Sequence, residues 1–202
     1  TDESLAMLRD ALDANPALPV VLDADALTLV AQSGGDVAAR LHEWCGSRDV
    51  VITPHAGEFA RLAGAPLPAD NWQARAQAAS AFARRAKCTV LLKGAPTLVA
   101  CADGTIAVSP RGNAVLSTGG SGDMLAGVIG TLLAQGVRGR TAAIIGAAVH
   151  GIAAELTGAR IGVRGATLDD VLEDLPRAWR SVLDPAPLPP GILLELPSTS
   201  LR

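Results

Sequence analysis

The sequence predicts an α/β protein in which a mostly parallel sheet is covered by helices. Short runs rich in Val, Ile and Leu alternate with Ala-rich helical patterns along most of the chain, which is how strands buried on both faces read. Polar residues stand just past the C-terminal ends of those runs, the edge at which open α/β sheets bind ligands. With 202 residues, 49% hydrophobic and 18% charged, the chain can bury one sizeable core, and one domain spanning 1–202 is expected.

The elements follow in order. Pro19-Val20-Val21-Leu22 reads as a strand ending at Asp23, and Asp49-Val50-Val51-Ile52 as a second ending at Thr53-Pro54-His55. A helix is expected from about Asn71 to Ala86, with Asp70 as its N-cap and Gln73 in capping-box spacing. Cys88 to Lys93 forms a third strand. Thr97 to Ala100 and Asp103 to Val108 form a hairpin turning at Asp103-Gly104, which puts antiparallel strands at the sheet edge. From Asp123 to Gln135 the residues are apolar on nearly every face, so this helix should be buried, with Gly136 as its stop. A small-residue helix runs from about Thr141 to Leu156, and another starts at Thr167-Leu168-Asp169-Asp170 in capping-box spacing. The Pro-rich tail, about 184–202, is expected to be irregular.

Composition excludes several functions. A formal net charge of -3 without runs of Lys or Arg lacks the basic footprint of nucleic-acid binding. Cys45, Cys88 and Cys101 are odd in number and lack C-x-x-C spacing, so they suggest neither disulfides nor a thiolate metal site, and a reducing cytoplasm fits best. The most apolar stretch, Ala142 to Ala154, is interrupted by His150 and falls short of the roughly 18 residues of a membrane span. The N-terminus has no basic or apolar signal region.

Chemistry concentrates in Asn113-Ala114-Val115-Leu116-Ser117-Thr118-Gly119-Gly120-Ser121-Gly122-Asp123. Its glycines let successive N–H groups turn inward, and the helix that follows adds a partial positive charge, so the loop can hold an anion such as phosphate. An aspartate beside such a nest can act as a base on a hydroxyl facing the phosphate. Asp in a first helical turn is otherwise only a cap.

This order of residues resembles the anion-hole motif of ribokinase-like kinases and of the related ADP-dependent NAD(P)H-hydrate dehydratases. Val21-Leu22-Asp23-Ala24-Asp25-Ala26-Leu27, Ile52-Thr53-Pro54-His55-Ala56-Gly57-Glu58-Phe59 and Leu92-Lys93-Gly94-Ala95-Pro96-Thr97 resemble the D-A-D-A-L, T-P-H-x-G-E and K-G-x-x-T signatures of the dehydratases. The resemblance covers roughly Leu5 to Arg180 and implies a ribokinase-like three-layer α/β/α fold. The family's first portion, with a G-P-G-L-G loop, has no counterpart here, so the N-terminal portion of the domain is expected to be missing. Ala56 stands for the family's usual Pro, and Gly119-Gly120-Ser121-Gly122-Asp123 for its frequent Ala-Gly-Thr-Gly-Asp.

The resemblance implies ADP-dependent dehydration of the 6S hydrates of NADH and NADPH, NADHX and NADPHX, yielding AMP and phosphate, with ADP as co-substrate and Mg²⁺ as helper. It makes Asp123 the general base. It assigns nucleotide binding to Lys93, Gly94, Ala95, Pro96, Thr97, Gly120, Ser121 and Gly122, and substrate binding to His55 and Asp123. No protein metal site is predicted. Asp23 and Asp25 could orient substrate or hydrated Mg²⁺, with helix capping an equal account of Asp25. His150 reads as structural or as a subunit contact, and Glu58 as favouring the start of its own helix. A homo-oligomer is expected, since small-residue helices suit a subunit interface, and fusion to an epimerase domain occurs in bifunctional relatives. Two other readings stand beside this one: an ATP-dependent small-molecule kinase, against which Thr53-Pro54-His55 argues, and a truncated nucleotide-binding module without turnover.

Overall fold

The structure, a computed structural model, describes residues 2–68 and 71–184. In chain order the elements are α1 (Asp2–Ala14), β1 (Val20–Leu22), α2 (Asp25–Gln32), α3 (Val37–Cys45), β2 (Val50–Ile52), α4 (Ala56–Ala63), α5 (Trp72–Ala86), β3 (Thr89–Leu92), β4 (Thr97–Ala100), β5 (Ile106–Ser109), a 3-10 turn at Ala114–Ser117, α6 (Ser121–Ala134), α7 (Gly139–Ile161) and α8 (Leu168–Leu183). The strands lie in the order β1-β2-β3-β4-β5. The first three are parallel, with Val20 opposite Val50 and Ile52 opposite Val90. β4 runs antiparallel to both β3 and β5, so four of the five strands point one way.

Alternation along each strand divides the core. Ile52, Val90, Leu92, Leu98 and Ala100 face the layer formed by α2 to α5. Val51, Leu91, Val99 and Cys101 face α6 and α7. A third cluster joins α7 to α8, so the three-layer expectation holds with α8 outside α7. In the first layer, Phe59 and Phe82 meet edge to face, their centroids 5.6 Å apart and the rings at 66°, a geometry that adds about 1 kcal/mol to simple burial.

Several expectations are corrected. The N-cap of α5 is Asn71, whose Oδ1 accepts from Ala74 N at 2.8 Å; Asp70, proposed for that role, lies outside the described residues. The hairpin turns at Asp103-Gly104, but β5 begins only at Ile106, because the Asp103 carboxylate takes the Thr105 N–H at 2.8 Å and holds the chain in a turn. α6 buries one face, Leu125, Ile129, Leu132 and Leu133, rather than its whole circumference. The tail from 185 lies outside the described residues.

α7 is longer than expected. Its 23 residues make it long and apolar enough to cross a membrane by length and composition, yet 56% of its most apolar window is buried inside the fold. Its small residues let α6, α8 and the sheet approach. Its first turn is capped from a distance: Asp49, at the start of β2, accepts the Gly139 N–H at 2.6 Å. Asp49→Ala is expected to lower stability by about 1 kcal/mol, the usual effect of losing a helix cap, read as a fall in denaturation midpoint.

α8 starts with the predicted capping box between Thr167 and Asp170. It is tied to α7 through Asp174, 2% exposed, which accepts from Thr157 Oγ1 at 3.0 Å, Arg160 Nε at 3.1 Å and Arg177 at 3.1 Å. Burial alone would raise the Asp174 pKa, but these donors outweigh it and hold the carboxyl below its ordinary value. The three cysteines are free and buried, and burial pushes the Cys45 thiol up to about 11, so they behave as the small hydrophobes expected.

Candidate active site

The C-terminal tips of the parallel strands meet the start of α6. Leaving β2, Thr53 and Pro54 continue in extended form, and His55 makes an isolated parallel bridge to Lys93 at the end of β3, supported by Lys93 N donating to Pro54 O at 2.8 Å. Across the same edge, Asp23 leaves β1. Lys93 Nζ lies 2.9 Å from Asp23 Oδ1 and 3.8 Å from Glu58 Oε2, so one half-buried ammonium joins the tip of β1, 70 residues away in sequence, to the first turn of α4. Asp25, in the first turn of α2, is exposed.

His55 has a structural task here. Its Nδ1 accepts from Gly57 N at 3.0 Å and Glu58 N at 3.3 Å, while Glu58 Oε2 accepts from His55 N at 2.7 Å. This is a complete capping box for α4, and it bears out the reading of Glu58 as a helix-start residue. The remaining His55 nitrogen, Nε2, lies 3.5 Å from Glu58 Oε1 on an exposed ring.

The glycine loop meets this group from the other side. Gly120 is the α6 N-cap at φ 85°, a left-handed conformation that favours glycine, and a side chain there would meet Leu168 at 2.8 Å. A Cβ on Gly122 would stand 3.3 Å from Lys93 Nζ and 3.5 Å from Asp23 Oδ2. The first turn of α6 therefore presents its N–H groups beside a fixed cation, an arrangement suited to a phosphate. Asp123 follows on that turn, exposed and with no hydrogen-bond or ion-pair partner among the described residues.

A cavity of about 880 Å³ opens along this edge. Of the residues predicted to bind nucleotide, Lys93, Gly94, Ala95, Pro96, Thr97, Ser121 and Gly122 line it; Gly120, and the predicted substrate residues His55 and Asp123, lie outside its lining. The side wall is the segment from Pro110 to Ser117, and among its anchors Arg111, Gly112 and Glu155 are residues without a role in the sequence expectations. Asn113 Nδ2 donates to Ala154 O at 3.0 Å, Gly112 N donates to Glu155 Oε1 at 2.8 Å, and Arg111 pairs with Glu155 at 3.1 Å. Ser121 Oγ closes the loop by donating to Leu116 O at 2.7 Å.

α7 can approach this wall only because Gly151 lacks a side chain: a Cβ would lie 2.6 Å from Arg111 Cβ and 2.7 Å from its carbonyl carbon. Gly151→Ala is expected to push the wall outward, costing about 1–3 kcal/mol by overpacking and weakening any ligand of the cavity. Thermal denaturation and ligand titration on the same variant would read both effects.

Comparison with known proteins agrees with this geometry. The chain is 42% identical over 153 residues to the ADP-dependent (S)-NAD(P)H-hydrate dehydratase of Neisseria meningitidis serogroup B, covering 74% of this chain and 49% of that protein. It is 36% identical over 165 residues to the bifunctional NAD(P)H-hydrate repair enzyme of Moorella thermoacetica, covering 82% of this chain and 30% of the relative. Among solved structures, the ADP/ATP-dependent NAD(P)H-hydrate dehydratase of Bacillus subtilis, co-crystallised with ATP/Mg²⁺, superposes with a TM-score of 0.64 at 33% identity, covering 80% of this chain and 54% of that one. The chain thus spans about half or less of the length of these relatives, and its architecture is ribokinase-like. A family model for NAD(P)H-hydrate dehydratase matches residues 1–177, and the chain belongs to that family.

Proposed function

We propose that the protein carries out ADP-dependent dehydration of the 6S hydrates of NADH and NADPH, returning the reduced cofactors with release of AMP and phosphate. The observation that carries this reading is the glycine-built first turn of α6 placed against Lys93 on the wall of a cavity large enough for a nucleotide. The hydroxyl on C6 of the hydrate attacks the terminal phosphorus of ADP, its proton passing to the Asp123 carboxylate as AMP leaves. The C6–O bond then breaks with phosphate as leaving group, the ring nitrogen supplies the electron pair, and loss of the proton on C5 restores the C5–C6 double bond. The N–H groups of Gly120 and Gly122 hold the phosphoryl oxygens, the Ser121 N–H being donated to Thr118 O at 3.3 Å, and Lys93 offsets their charge.

Among the described residues no group of three or more His, Cys, Asp or Glu side chains is placed to hold a metal. Asp23, beside Lys93 and Gly122 at the tip of β1, would orient a hydrated Mg²⁺ carried by nucleotide phosphates, whose chemistry would be charge neutralisation. Three buried free cysteines support a reducing, cytoplasmic setting. The bifunctional relative supports fusion to a second activity, for which an NAD(P)HX epimerase domain is the proposed neighbour, and a homo-oligomeric state belongs to the same proposal, to be measured by light scattering. The primary test mixes chemically hydrated NADH with full-length protein, Mg²⁺ and ADP or ATP. Return of the dihydronicotinamide absorbance that requires nucleotide supports the reading; none from folded, nucleotide-binding protein overturns it in favour of a kinase.

A further inference from the structure

His150 lies on α7 and lines the cavity, yet it is only 6% exposed, and its Nε2 is shielded from water without a hydrogen-bond partner among the described residues. Leaving a buried polar atom unpaired costs about 1–3 kcal/mol, and folded proteins rarely leave one so. The small residues around it, Gly146, Ala147, Gly151 and Ala154, would accommodate an apolar side chain without that cost. The partner therefore comes from what fills the cavity.

The chemistry of the ring narrows the ligand. Burial, with the Lys93 ammonium nearby, pushes the imidazole down to about 4, against the opposing effect of the Ser121 backbone, so it is neutral at physiological pH. A phosphate already has Lys93 and the α6 N–H groups as partners and could use only the N–H tautomer of the ring at Nε2. A hydroxyl or an amino group can use an uncharged ring whether Nε2 offers its lone pair or its N–H. Beside polar side chains such as Arg111 and Asn113, the cavity wall carries Trp72, Pro96, Val108, Pro110 and Leu125, an apolar surface that suits a heterocycle.

We propose that His150 Nε2 is a hydrogen-bond contact for the nucleoside part of the bound nucleotide, pairing with a ribose hydroxyl or an amino group of the base. The proposal rests on the nucleotide reading given above. Calorimetric titration of ADP and of inorganic pyrophosphate into the full chain, His150→Leu and His150→Gln tests it. His150→Leu should weaken ADP about tenfold, the worth of one good hydrogen bond, and leave pyrophosphate unchanged, while His150→Gln, able to donate and accept, should stay within about threefold of the parent. ADP and pyrophosphate weakening together, or neither changing, overturns the proposal. Should a variant fail to fold, ¹⁵N-histidine spectra of the unaltered protein decide: ADP must move the His150 Nε2 resonance and pyrophosphate must not, and an unmoved resonance overturns it. An unaltered protein that binds no ADP overturns the nucleotide reading itself, a result distinct from ADP binding that ignores position 150.

Discussion

Asp123→Asn is expected to lower the rate of hydrate dehydration by about a hundredfold to ten-thousandfold, the range seen when a positioned general base is lost, with little change in ADP affinity. The carboxylate stands on the first turn of α6 next to Gly122, which lines the cavity, but is itself outside that lining. The nucleotide would thus lie on one side of the turn, with the base beside the acceptor hydroxyl. Asp123 is exposed and has no hydrogen-bond or ion-pair partner among the described residues, so the substitution should shift stability by less than about 1 kcal/mol, the value of a charge near a helix N-terminus. Single-turnover rates and ADP titration on the same preparation measure both parts. Retention of more than a tenth of the parent rate would assign the proton to another group.

The second large effect concerns pH. With its imidazole pushed down to about 4 from an ordinary 6.5, His150 remains neutral in the folded chain while the unfolded chain takes up a proton between those values. Stability is then fully present above about pH 6.5 and declines as pH falls toward 4, by about 3 kcal/mol in total. Asp36, Asp103, Asp170 and Asp174 are held below their ordinary 3.8, so what they contribute is lost only at lower pH, outside this window. Urea denaturation at pH 7 and pH 4.5 should show the decline in the unaltered protein and a much flatter profile in His150→Gln. Equal midpoints at both pH values would mean that the ring titrates as though exposed.

The strands β1, β2 and β3, the hairpin, and the capped start of α8 were legible because each rests on local chemistry: β-branched runs, an Asp-Gly turn, and a Thr-x-x-Asp box. The glycine-rich turn before α6 was legible for the same reason. The start of α5 was misjudged by one residue because Asp70 and Asn71 are both good caps, and sequence alone does not decide between adjacent candidates. α1 went unread because it buries little beyond Leu12, leaving a thin periodic signal. Long-range pairings left no trace in sequence order: Asp49 capping α7, Asp23 holding Lys93, and Glu155 fixing the cavity wall are each brought together only by the fold. His55 drew attention as a ligand residue, and nothing in the sequence signalled that its Nδ1 also caps α4, a role histidine seldom fills, with Nε2 left on an exposed ring.

The crowding along α7 also sets how this protein can vary. Gly146 faces Ile129, Gly151 faces Arg111 and Gly158 faces Asn113, each at a separation too short for a methyl group without displacement, and Ala142, Ala143, Ala153 and Ala154 are fully enclosed. Arg140, Thr141 and Ile144 lie on the outer side. A saturation library along this one helix should therefore return a barcode, with survivors restricted to the smallest side chains at the inward positions and nearly unrestricted outside, and the period of that barcode would trace the helix face on which the cavity wall, the sheet and α8 all rest.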